Sequence, residues 1–274
     1  MKTPASELKR RARQRLKGKY GLCIGAQFAV YAAVFVILLI YLCAVFSLTA
    51  VNRSFFAGGS GKTAFILLQA VVFLSYVVAL SLVGLLTPGI NKIFLNLCTD
   101  QTAGFSDLLY AFRNRPQRFL GLYFVNLLIG LFWGIPYFVV MAVSIITEFI
   151  PVMILLLVLM YILWLAGIVF TMLFLSQSIF ILIESPDKKV FASLKESADM
   201  MKGGKGRLLY LYLSFTGMLV LGYFSLGVGF LWIMPYIQCT AAEFYLDLKS
   251  KGAPQPGAGY EDASFEYMWR QENQ

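Results

Sequence analysis

Between Arg207 and Glu243 no side chain carries a formal charge. A run of this length, broken near its middle by Gly227 and Gly229, follows a charged amphipathic stretch, SPDKKVFASLKESADMMKGGKGR, that begins at Ser185. A bilayer core needs about 20 apolar residues per helical crossing. The pair therefore reads as a surface helix followed by a helical hairpin that crosses a membrane and returns. Looser versions of the same unit recur along the chain. Only 14% of the residues are charged and 59% are hydrophobic, whereas a soluble domain carries about 25% charged residues. Lipid must replace water around most of the surface.

The expected fold is all-α: a polytopic transmembrane helical bundle of about six spans with amphipathic cytoplasmic surface helices. The spans are expected at about 22–50, 64–97, 119–147, 152–183, 208–226 and 230–247, together forming a membrane domain over 22–248. Five spans result if the last hairpin counts as one. Residues 1–21 read as a basic amphipathic juxtamembrane helix. Thr3 is its expected N-cap, Pro4 its first residue, and Ala5, Leu8, Ala12 and Leu16 form an apolar stripe suited to the headgroup region. The apolar run that follows is too long for a signal peptide and is read as a retained span. A surface helix is expected within 98–118, N-capped by Ser106. Another runs from an N-cap at Ser185, with Val190, Phe191, Leu194, Ala198 and Met201 as its stripe, and stops at Gly203 and Gly204. Thr87-Pro88-Gly89 breaks the second span, and Pro136 kinks the third. Gly130-x-x-x-Gly134 and the series Gly21, Gly25, Ala29, Ala33 allow close helix approach. Residues 249–274 read as a disordered cytoplasmic tail.

Charge placement sets the orientation. Of the 23 Lys and Arg, only Arg53 and Lys62 fall on one side of this arrangement. The positive-inside rule puts the other side, with both termini, in the cytoplasm. Asn91 and Asn96 follow Pro88 at the offsets at which Gln238 and Glu243 follow Pro235, which suggests duplicated hairpins.

Chemistry is narrowed by absence. The chain has no histidine, so neither a Ser-His or Cys-His dyad nor an HExxH site can form. The cysteines Cys23, Cys43, Cys98 and Cys239 form no CxxC pair. No catalytic, cofactor-binding or metal-binding residue is assigned. Two groups remain as candidates. Asn91, Asn126, Gln177, Gln238 and Glu243 fall in the cytoplasmic half of the spans, where each must pair or face water. They either converge in a polar cluster open to the cytoplasm or each bond a neighbouring backbone. Arg10 and Arg11 lie on the basic N-terminal helix, and Lys202, Lys205 and Arg207 at the junction between a surface helix and a span. There they either contact lipid phosphate or merely cap and turn the chain.

The residues SPD, SLKESADMMKGGKG, LSF, GVGFLWIMPY and FYLDL, with the N-terminal LKRRARQRLKGKYG, resemble the bacterial integral-membrane family catalogued as domain of unknown function 975. The resemblance covers about 1–248. It implies a multi-pass protein of the bacterial inner membrane and carries no established activity. A fainter similarity reaches the membrane domain attached to some glycerophosphodiester phosphodiesterases, although no catalytic domain is present in this sequence. The resulting expectation is a non-enzymatic membrane component without cofactor. It would bind anionic inner-leaflet headgroups, a membrane-protein partner or another copy of itself, and not nucleic acid. The alternative is a small transporter or channel using the polar cluster.

Overall fold

The computed structural model describes residues 3–55, 70–77, 79, 81, 84–147 and 150–252. The expected tail beyond Gly252, most of the loop at 52–62 and part of the second expected span lie outside them. Every regular element among the described residues is helical. The helices are α1 (Ala5–Leu16), α2 (Tyr20–Phe55), α3 (described positions within 70–84), α4 (Leu86–Cys98), α5 (Tyr110–Arg113), α6 (Pro116–Ile146), α7 (Pro151–Leu175), α8 (Ser178–Glu184), α9 (Val190–Met200), α10 (Lys205–Leu213), α11 (Thr216–Phe224) and α12 (Phe230–Gly252). A 3₁₀ turn, Phe105–Leu109, precedes α5.

The core sits at one end of the bundle, in a base built around α12. Tyr236, Cys239, Ala242, Phe244 and Tyr245 of α12 are buried there. So are Ile93, Phe94 and Leu97 of α4, Leu182 of α8, and Leu208 and Leu211 of α10. Helix α1 closes the base. Its stripe Leu8, Ala12 and Leu16 is fully buried. The sequence assigns that stripe to lipid, but protein covers it, chiefly α12. The chain doubles back from α1 into α2 through Gly18, whose φ of +75° suits a residue without a Cβ.

Three helical pairs leave this base. In α2–α3, Tyr41 and Tyr76 pack at 4.2 Å between ring centroids. In α6–α7 each strand of the seam contributes an indole. Trp133 donates to Thr171 Oγ1 at 3.0 Å, and Trp164 donates to the Gly130 carbonyl at 3.0 Å. Of the Gly130/Gly134 pair, Gly134 receives the Trp164 indole rather than a second backbone, a Cβ there lying 3.2 Å from Trp164, while Gly130 contributes only its carbonyl. In α11–α12, Gly222 and Gly229 interlock so closely that a Cβ on Gly229 would lie 2.9 Å from Gly222 Cα. Four helices are long and apolar enough to cross a membrane: Tyr20–Ser47, Pro116–Ile146, Pro151–Glu184 and Lys205–Phe224. Within the best windows of the first and third, only 6% of residues are buried inside the molecule.

Local boundaries depart from expectation for identifiable reasons. Ser185 does not open the surface helix. Its N–H donates to Ile181 O at 2.9 Å, so it closes α8, and α9 begins at Val190 after Lys189. The buried face of α9 is Ser193, Leu194 and Ser197, while Phe191 is 75% exposed. Ser193 Oγ donates to Val190 O on its own helix, whereas Ser197 is buried where the long fourth span breaks at Ser176–Gln177. There Ser197 Oγ donates to Phe174 O at 2.7 Å and accepts from Gln177 N at 3.2 Å, satisfying backbone groups freed by the break. The fifth span breaks likewise at Ser214–Phe215. Thr3 does not cap α1. Its hydroxyl donates to Asp247, and Pro4 holds the cap position. In place of a surface helix at 98–118 stand the 3₁₀ turn and the short α5. Gly104 N, not an amide satisfied by Ser106, donates to Asp107 at 3.1 Å. Pro88 falls in the first turn of α4, where its missing N–H costs no helical bond. Gly89 is present for contact: a Cβ there would lie 2.0 Å from Leu108 O.

Candidate functional site

Helix α1 has two faces. Leu8, Ala12 and Leu16 point inward, which turns Glu7, Arg10, Arg11 and Gln14, at i, i+3, i+4 and i+7, to the outside. Together with Arg15 and Glu243 they line an open cleft of about 500 Å³ at the outer edge of the base. Glu7 accepts from Arg10 Nε at 2.8 Å and from Arg11 Nε at 3.1 Å. These hydrogen bonds, Arg10 first and then Arg11, pull the Glu7 carboxyl down to about 2. Arg15 reaches back to Asp100 and places its Nε 3.7 Å from Glu243 Oε1. Glu243 is 6% exposed, and its Oε1 accepts no hydrogen bond, so Arg15 compensates its charge only through space.

The five polar residues expected at depth are not joined. Asn91 Nδ2 donates to Thr87 O at 2.9 Å and Asn126 Nδ2 to Leu122 O at 3.0 Å, each one turn back on its own helix. Gln177 is buried beside Ser176 and Ser197 in the break between α7 and α8. Gln238 keeps a buried Oε1 without a hydrogen-bond partner. Glu243 alone lines the cleft.

The five cations expected at lipid phosphate divide as well. Arg10 and Arg11 are exposed and share Glu7. Lys202 is exposed and pairs with Asp199 at 2.7 Å. Lys205 lies 3.4 Å from the centroid of the Phe174 ring, a cation–π contact. Arg207 turns inward, donating to Asp247 at 2.7 Å and to the Thr3 carbonyl at 2.8 Å. It ties α1, α10 and α12 together and is not presented to a headgroup. Glu7, Gln14 and Arg15 were not singled out in the sequence. The spacing of Glu7 to Arg10 and Arg11 is a visible helical ion-pair signal. The approach of Arg15 to Asp100 and Glu243 has no local signal.

Chemically the cleft is a charge-dense surface of three guanidiniums with carboxylates between them. No group of three or more metal-ligating side chains occurs among the described residues. An all-α bundle of this kind, with four helices fit to cross a membrane and a cationic base, points to a helical membrane protein. The chain belongs to the family described as protein of unknown function DUF975, whose model matches residues 1–252. No curated protein and no solved structure matches it.

Proposed function

We propose that this chain is a non-enzymatic, multi-pass component of the bacterial inner membrane, with both termini cytoplasmic. Its base rests against anionic headgroups. The observation that carries this reading is the orientation of α1. With its apolar stripe packed on α12, Arg10, Arg11, Arg13, Lys17 and Lys19 are all left exposed. Cations held on a rigid base attract anionic lipid at about 1 kcal/mol each near the surface. The test uses the full chain reconstituted with spin-labelled phosphatidylglycerol or phosphatidylcholine. Replacing those five residues by Gln is expected to abolish the preference for the anionic lipid. An unchanged preference would refute the reading.

Glu243 supports the alternative, a small transporter or channel, because a nearly buried carboxylate borders an open cleft. Proteoliposome flux that responds to Glu243→Gln would favour it. Flux indifferent to both Glu243→Gln and Asn126→Leu would count against it.

A further inference from the structure

The register of α1 limits how deeply the last hairpin can enter the membrane. Thr3 donates to Asp247, Cys239 Sγ donates to Ala12 O at 3.6 Å, and the Arg13 guanidinium lies 5.5 Å from the Tyr236 ring centroid. Helix α1 thus runs antiparallel beside the Tyr236–Asp247 part of α12. It flanks the other leg too. Arg207 donates to the Thr3 carbonyl at 2.8 Å, and Lys9 Nζ donates to Ser214 O at 2.9 Å while lying 4.0 Å from the Phe215 ring centroid. A helix carrying Lys9, Arg10, Arg11, Arg13 and Arg15 within two turns cannot lie in hydrocarbon. Both legs are therefore outside the hydrocarbon as far as Phe215 and Tyr236.

Lys205–Phe224 is long and apolar enough to cross by length and composition, but it breaks at Ser214–Phe215 and what extends beyond that level is short. Helix α11 has 9 residues, about 14 Å at 1.5 Å per residue. The hydrocarbon core is about 30 Å thick. By contrast α6, with 31 residues, is about 46 Å long. Residues 216–235 carry no charge, and their outermost side chains are apolar and open: Tyr223 77%, Phe224 78% and Leu226 95% exposed.

The turn at the tip is built for a medium without water. Ser225 N donates to Leu221 O, Leu226 N to Tyr223 O, Gly227 N to Gly222 O and Val228 N to Ser225 O. Gly229 N donates to Ser225 Oγ at 2.8 Å, and Phe230 N donates to Gly227 O at 3.1 Å. Every N–H from Ser225 to Phe230 thus has an acceptor within the hairpin, which lowers the cost of immersing the turn in lipid.

We propose that residues 216–235 form a re-entrant hairpin. It enters the leaflet on which α1 rests, ends near the bilayer midplane among acyl chains, and returns without crossing. The inference goes beyond headgroup preference, because depth is read independently of lipid charge.

The experiment uses the full chain with Cys43→Ala, since Cys23, Cys98 and Cys239 are buried. Leu226→Cys carries an environment-sensitive fluorophore in vesicles containing lipids spin-labelled either at the headgroup or near the chain end. The expected result is strongest quenching by the chain-end label. Unlabelled Leu226→Cys is expected to lose reactivity to an impermeant maleimide from both faces, while Thr147→Cys, at the end of α6, reacts from the face opposite α1. Reaction of Leu226→Cys from that opposite face would mean a full crossing and overturn the proposal. Reaction from the α1 face, or a probe reached by neither lipid nor reagent, would overturn it equally, placing the tip in water or against protein. Because Leu226 has a φ of +53°, Val228→Cys serves as the second reporter if the first variant misfolds.

Discussion

Gly89→Ala is the sharpest test of how the base is assembled. A methyl group at this position would lie 2.0 Å from Leu108 O, 2.5 Å from Leu108 C and 2.6 Å from Leu108 Cα. All three are backbone atoms, so no rotamer change relieves the overlap. A carbon–oxygen contact normally falls at about 3.3 Å, so the 3₁₀ segment would have to withdraw by about 1.3 Å. It is not free to do so. Phe105 packs on the other side against Gly25, and Asp107 accepts from Gly104 N and Asn96 Nδ2, both at 3.1 Å. Overpacking of this severity costs about 3 kcal/mol, and straining the Asn96–Asp107 bond adds about 1 kcal/mol. The better helix propensity of alanine returns about 1 kcal/mol. The net loss of about 3 kcal/mol corresponds to a melting temperature lower by about 6–12 °C for a chain of this size. The assay is thermal unfolding of the full chain in detergent, followed by far-UV circular dichroism and by the surviving monodisperse fraction. Gly21→Ala, with no atom within 4 Å of its Cβ, is the matched control and should not lower the melting temperature. If Gly89→Ala melts with the wild type, the contact between α4 and the 3₁₀ turn is wrong.

Three further outcomes follow from the same contacts. Gly167→Ala places its methyl 2.2 Å from Trp133 Cδ2 and must displace the indole from Thr171, at a cost of about 2 kcal/mol. Tryptophan emission and thermal melting should both shift, while Gly130→Ala, in open space, should leave both unchanged. Arg207→Ala leaves the buried Asp247 without its guanidinium partner and should destabilise the base by about 3 kcal/mol, with Asp247→Asn less severe, both read by melting in detergent. Glu7 has a folded-state pKa depressed to about 2. Its ion pairs are therefore present above the ordinary carboxylate range and disappear only as pH falls through about 2. Carboxyl-carbon NMR should show Glu7 still ionised at pH 3.5, whereas Arg10→Gln with Arg11→Gln should return its titration to near pH 4.3, the ordinary glutamate value of about 4.3.

The apolar runs, the placement of cations and the amphipathic character of α1 were all legible in the sequence, because length and periodicity report how much apolar cover a helix needs. They do not report what supplies the cover. Leu8, Ala12 and Leu16 carry the same pattern whether they face lipid or α12, and only the tertiary structure decides. Ser185 followed by Pro186 has the composition of a helix start, yet its amide closes the preceding turn onto Ile181. Position along a span set an expected depth for Asn91, Asn126 and Gln177 but gave no direction around the helix. That direction sends each to a different local partner. The Glu7 ion pairs were readable at i+3 and i+4, but Arg15 reaches Asp100 and Glu243 across folds of the chain that no local pattern encodes.

Two-sided labelling tests the topology most directly. Gln14→Cys, on the exposed face of α1, and Thr147→Cys, at the far end of α6, are treated with an impermeant thiol reagent in right-side-out and inverted vesicles. With the base on the cytoplasmic face and the long helices crossing the bilayer, Gln14→Cys should react only in inverted vesicles and Thr147→Cys only in right-side-out ones. Reaction of both positions from the same face would contradict the account.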